Sequence, residues 1–127
     1  MQSSCCGSSP GETLIFTCAG AAHSGQVANR AGVQAMQQGV GNLLCIAAVA
    51  ADIADKMERT RAAARRIAID GCDDHCCRKV MEKAGVAVDV HVVVTDLGIE
   101  KKPAQPDMIG DAKKVVDKVK ALVAAGC

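Results

Sequence analysis

Four short apolar, β-branched runs alternate with stretches of helical spacing along the chain, and this alternation restricts the fold more than any other feature. The runs are TLIFTC (13–18), NLLCIAAVA (42–50), RIAID (66–70) and VDVHVVVTD (88–96). Each has the length of a strand, and each is followed by apolar residues three or four apart, the repeat of one helix face. Val27, Ala31 and Ala35 mark the first stripe, stopped by Gly39 and Gly41. Ile53, Met57 and Ala64 mark the second, within 52–65, and Cys77, Val80, Met81 and Ala84 the third, within 74–84 and ended by Gly85. Ile109, Ala112, Val115, Val116, Val119 and Leu122 mark the last, with lysines on its outer side. The fourth run sets Val88, Val90, Val92 and Val94 against Asp89, His91 and Thr95, as expected of a half-covered edge strand. Strands alternating with helices imply parallel strands with helices on both faces. The expectation is therefore an α/β fold, a single-domain three-layer α/β/α sandwich with a four-stranded, mostly parallel sheet in the order βαβαβαβα. It spans 13–127, behind a flexible arm over 1–12.

Composition narrows the function classes. At 127 residues the chain is one domain able to bury a real core. Half of it is apolar, yet Phe16 is its one aromatic residue, so the core is built from aliphatic side chains and no platform exists for stacking bases. The net charge is +1 and the cations are interspersed with Asp and Glu, which indicates neither a nucleic-acid nor an anionic-membrane partner. The longest apolar run, LLCIAAVAA, is far shorter than the roughly 20 residues of a membrane span. The opening MQSSCCGSSPGET lacks the basic-then-apolar pattern of an export signal, so a soluble, cytoplasmic protein is expected. In a reducing cytosol, eight cysteines more often bind metal or do chemistry than pair as disulfides.

The placement of those cysteines follows from the topology. Right-handed crossovers bring the C-terminal ends of all parallel strands to one side of the sheet, where ligands bind. Cys18, Cys72, Cys76 and Cys77 follow strand ends, whereas Cys45 lies a few residues before the end of its expected strand and joins them only if it points along the same crevice. With the first strand central and the second and third flanking it, the meeting point falls beside Cys18. Cys72 and Cys76, four apart at a helix start, share one face, so one ion can bridge them, while Cys77 falls on the core stripe. Asp73 or Asp74 suits the helix N-cap, and a helix start stabilises thiolate, which favours metal binding and nucleophilic chemistry alike. Asp70 bonds either a ligand, as support behind the thiols, or its own loop, and Gly71 relieves a tight turn. Of the histidines, His23 faces the crevice or solvent, His75 either joins the neighbouring cysteines or is solvated, and His91 is a strand residue. Cys5, Cys6 and Cys127 lie near the chain ends, where order is least expected.

Enzyme readings have one foothold. CAGAAHSG, after the first run, resembles the cysteine loops of low-molecular-weight phosphatases and arsenate reductases, in which a thiolate attacks an oxyanion held by backbone N–H groups. Those loops require an arginine six residues after the cysteine, and Ser24 stands there. No C-x-x-C, GK[ST] or GxGxxG is present to support redox or phosphate-loop chemistry. Sulfur carriage or oxyanion reduction through Cys18, with Cys72 or Cys76 resolving, remains as the alternative.

TLIFTCAGAAHSGQVANRA, LLCIAA, IAIDGCDDHC and HVVVTDLGIEK, taken in order and spacing, resemble the DGC domain family of small proteins to which zinc binding is ascribed. The family takes its name from the tripeptide that is here Asp70, Gly71 and Cys72. The resemblance runs from about Thr13 to the end, and it implies four chelating cysteines with no defined biological role. Those four fall on Cys18, Cys45, Cys72 and Cys76. The chain departs from the family pattern after Cys45, where a usually glycine-rich segment reads AAVAAD. Four thiolates suit a tetrahedral Zn²⁺ with Zn–S about 2.3 Å and leave no open position for a catalytic water. Cu(I) and iron–sulfur clusters also take soft thiolates, but a zinc ion is the expected cofactor and a metal ion the expected partner, in a structural or metal-handling role.

Overall fold

The computed structural model describes residues 11–126, so Cys5, Cys6, Cys127 and the arm up to residue 10 lie outside the described residues. Four parallel strands, β1 (Thr13–Thr17), β2 (Asn42–Leu43), β3 (Arg65–Asp70) and β4 (Val90–Val93), form one sheet in the order β2-β1-β3-β4. β1 is thus central, flanked by β2 and β3, and β4 is an edge. Five α-helices accompany the strands among the described residues: α1 (His23–Gln37), α2 (Ile46–Ala50), α3 (Ala54–Ala62), α4 (Cys76–Lys83) and α5 (Ile109–Ala125).

Strand alternation divides the apolar residues into two clusters on opposite faces. Ile15, Ile67, Ile69 and Val92 pack with Val27, Ala28, Ala31 and Ala35 of α1 and with Ala112, Val115, Val116 and Val119 of α5. Leu14, Phe16 and Ala68 pack with Val49 of α2, Met57 of α3, and Cys77 and Met81 of α4. Small residues let α1 approach closely: a Cβ on Gly32 would stand 2.5 Å from Thr17 Cγ2 and 2.9 Å from Leu43 Cδ1. Cys77 is a core residue, as expected, and burial raises its thiol pKa far above the ordinary range.

The expected second strand is largely a helix. Leu44 N–H still donates to Ile15 O at 2.9 Å, but the following IAAVA turns helical because alanine is the strongest helix former and only one flank of β2 is paired. α2 then stops at Asp52, whose φ of +56° is left-handed, with Asp52 N–H to Val49 O and Ile53 N–H to Ala48 O both at 3.1 Å. This paired closure is the Schellman arrangement, and it divides the expected 52–65 helix from what precedes it. The reversal leaves Ile53 exposed at the start of α3, and Ala64 is exposed beyond its end, so of the expected stripe Met57 alone is buried. α1 and α4 close the same way on Gly39 and Gly85, with Val40 N–H to Ala35 O and Val86 N–H to Met81 O at 3.0 Å. Ile109, expected inward, is 66 % exposed in the first turn of α5, while the rest of that stripe is buried or half-buried.

Glu12, placed by the sequence in the arm, is anchored. Its carboxylate accepts Arg59 Nε at 2.6 Å, Arg59 Nη2 at 3.0 Å and Asn42 Nδ2 at 2.9 Å, tying the start of β1 to α3 and β2.

Candidate thiol site

The strand order reverses its winding between β1 and β3, and the C-terminal ends of these two strands form the switch point at which open α/β sheets bind ligands. Cys18 and Gly71 emerge there side by side. Cys18 N–H donates to Ile69 O at 2.9 Å, carrying the β1–β3 ladder one residue past the strand. The Cys18 sulfur then accepts Gly20 N–H at 3.3 Å, which holds the loop folded back over the thiol.

Three glycines allow this crossing. A Cβ on Gly25 would meet the Gly20 backbone at 2.8 Å, and a Cβ on Gly71 would meet Gly25 N and Cα at 2.7 Å. Gly71 therefore serves close backbone approach between the end of β3 and the first turn of α1, and not the tight turn the sequence suggested. Packed against it, Ser24 is buried and its hydroxyl has no hydrogen-bond partner among the described residues.

Asp70 organises the other half of the site. Its carboxylate is 1 % exposed and accepts Cys77 N–H at 2.7 Å and Arg78 N–H at 3.2 Å, the free amides of the first turn of α4. Neither Asp73 nor Asp74, the expected N-caps, does this; both are exposed, and the cap position is His75, with φ +53° and no side-chain cap bond. Asp70 Oδ2 also accepts a hydrogen bond from His91 Nε2 at 2.8 Å, while His91 Nδ1 stands 3.2 Å from Arg78 Nη1, an arrangement in which the guanidinium donates and Nδ1 accepts. The His75 and His91 rings meet edge to face with centroids 5.0 Å apart. The bonds of Asp70 go to α4 and to β4, where the sequence had offered a ligand or its own loop.

These elements bring Cys18, Cys72 and Cys76 within electrostatic reach of one another. Burial, and then the charges of Cys18, Asp70, Asp74 and Cys72, raise the Cys76 thiol above its ordinary pKa. Cys72 Sγ lies 3.6 Å from Asp74 Oδ2, and the same oxygen stands 3.5 Å from the Lys101 ammonium. Cys45 is the exposed N-cap of α2, just past the end of β2 and hence on the same edge of the sheet. It is not in a strand, as the sequence had placed it. Cys76 is exposed, Cys18 and Cys72 are half-buried, and all four are free thiols. The donor set is soft and suits zinc, yet among the described residues no group of three or more His, Cys, Asp or Glu side chains stands positioned to hold a metal ion. An ion would have to draw the sulfur atoms together from where they stand.

His91 and Lys101 escaped the sequence reading. His91 alternates with valines as any edge-strand polar residue does, and only the β3–β4 register, which pairs it with Ala68, carries its ring to Asp70. Lys101 comes from a loop with no periodic signal. His23 does not face the crevice; it is 1 % exposed and bonded within the fold.

The DGC domain family model matches residues 14–119. A curated relative, the anaerobic and virulence modulator AnvM of Pseudomonas aeruginosa, is 24 % identical over 113 residues, covering 89 % of this chain and 86 % of that protein. No solved structure matches. No helix among the described residues is long and apolar enough to cross a membrane.

Proposed function

The chain belongs to the DGC domain family, and from that premise we propose that it is a cysteine-thiolate metal-binding protein that takes one zinc ion at the C-terminal edge of its sheet. One observation carries the reading: Cys18, just past the end of β1, and Cys72 and Cys76, in the β3–α4 turn, stand as free thiols on the same edge of the sheet at the β1–β3 switch point. Cys45, on the neighbouring strand end, supplies the fourth ligand once its side chain and the α2 turn swing inward. Bound there, zinc would be held by four thiolates and would cross-link β1, β2 and the β3–α4 turn, a structural or carried ion with no open position for water. Asp70 and His91 support this by fixing the start of α4, from which Cys76 projects. The relative AnvM is named a modulator, a role that a metal-binding protein can fill.

Metal analysis of protein purified without a tag tests the proposal. One zinc per chain is expected, with loss in Cys18→Ser, Cys72→Ser and Cys76→Ser and weakening in Cys45→Ser. Metal-free wild-type protein that also fails to take up added Zn²⁺ would refute it.

A second reading has one observation in its favour. The Gly20 N–H aimed at Cys18 Sγ is the kind of contact that stabilises a thiolate nucleophile for sulfur carriage or oxyanion reduction. It requires Cys18 to react with iodoacetamide far faster than Cys45, Cys72 or Cys76, and even reactivity across the four would exclude it.

A further inference from the structure

Residues 100–107 run across the thiol edge with every side chain exposed, between buried Ile99 and half-buried Met108. Nothing apolar fastens this segment to the core, and its attachments converge on one residue of α1. His23 N–H donates to Lys102 O at 2.6 Å, and the neighbouring Ala22 forms an isolated antiparallel bridge with Pro103. Gln105 N–H donates to His23 Nδ1 at 3.2 Å. With Nδ1 acting as acceptor, Nε2 carries the ring proton and donates it to Asp111 Oδ2 at 2.9 Å. The ring thus joins α1, the segment and the first turn of α5. The same segment delivers Lys101 to Asp74, its ammonium 3.5 Å from the carboxylate oxygen that stands 3.6 Å from the Cys72 sulfur.

We infer that residues 100–107 form a strap over the thiol edge, latched by Nδ1 of His23, and that opening of the strap governs access to Cys72. Opening moves no buried side chain of the segment itself and breaks only a few hydrogen bonds, which places it among the low-energy local openings of a fold. Buried Ile99 and half-buried Met108 are the fixed points between which the segment opens, and Pro103 and Pro106 stiffen what moves. Closed, the strap holds Lys101 at Asp74 beside the half-buried Cys72; open, it leaves that sulfur more exposed. The inference holds whether or not the thiols bind a metal.

Two conservative substitutions separate a latch from a space-filling core residue. In His23→Asn the side-chain oxygen takes the place of Nδ1 and still accepts Gln105 N–H, whereas His23→Gln places its amide where Nε2 was and lacks that acceptor. The readouts are amide hydrogen exchange at Gln105 and the rate of Cys72 carboxamidomethylation resolved by mass spectrometry, on the reduced full chain with and without chelator. Both rates are expected to rise about tenfold in His23→Gln and less than about twofold in His23→Asn, the difference one buried hydrogen bond makes. Equal rises in the two variants, or none in His23→Gln, would overturn the latch. Should either variant fail to fold, Gln105→Pro removes the donor without touching the core. It is expected to raise the Cys72 rate similarly, and an unchanged rate would overturn the latch as well.

Discussion

Asp70 and His91 meet across neighbouring strands through one 2.8 Å hydrogen bond, and the same carboxylate holds the first turn of α4. A buried acid in the body of the sheet thereby sets the position of the helix that carries Cys76 and Cys77. Substituting Asp70→Ala strands two helix amides and the His91 N–H in a buried place. A loss of about 2–4 kcal/mol is expected, with Asp70→Asn milder because it retains one acceptor, both measured by urea unfolding. Equal stability of Asp70→Ala and the parent would remove Asp70 from this role.

Glycine at 71 is required by contact with Gly25, so Gly71→Ala is expected to destabilise by more than about 2 kcal/mol, since the new methyl meets backbone at 2.7 Å. Gly110, in the first turn of α5 with open space around it, gives the opposite sign: Gly110→Ala is expected to gain about 0.5–1 kcal/mol. Thermal unfolding of the two variants side by side checks both signs.

Asp52 closes α2 in a left-handed conformation that costs an L-residue and suits glycine. Asp52→Gly is expected to stabilise by roughly 0.5 kcal/mol, after the extra backbone entropy of glycine is deducted. A loss of stability would mean that the Asp52 side chain does something beyond adopting this turn.

Arg59 and Asn42 lower the Glu12 carboxyl from 4.5 to about 2. A depressed acid contributes stability that is fully present above its unfolded pKa and disappears as pH falls through the folded one, so the loss is expected between about pH 5 and pH 2. Glu12 is a third exposed and Arg59 more so, which limits the pair to about 1 kcal/mol at neutral pH. Glu12→Gln should therefore be less stable than the parent at pH 7 and indistinguishable from it near pH 2 in chemical unfolding. A gap that does not change with pH would show that the charge is immaterial.

Hydrophobic period made β1, β3 and β4 legible in the sequence, and with them the burial of Cys77. The stretch after Leu44 misled because IAAVA is apolar enough for a buried strand and alanine-rich enough for a helix, and only the unpaired flank of β2 decides between them. The capping of α4 was hidden because its acceptor lies on β3, six residues before the helix, while two nearer aspartates offered themselves. His91 needed the strand register, and the strap needed the tertiary position of His23, neither of which spacing along the chain encodes. The family pattern named the four cysteines, and the topology sets them on one edge, but their side chains are not drawn together among the described residues.

Cobalt substitution tests most directly whether these thiols share one ion. On titrating the metal-free, reduced chain with Co²⁺, the expected result is a thiolate-to-cobalt charge-transfer band saturating at one equivalent. With it should come the intense visible absorption of a tetrahedral site, both reduced in Cys18→Ser, Cys45→Ser, Cys72→Ser and Cys76→Ser and unchanged in Cys77→Ser. A spectrum of hydrated, octahedral cobalt, or a thiolate band indifferent to the loss of Cys18 and Cys76, would contradict it.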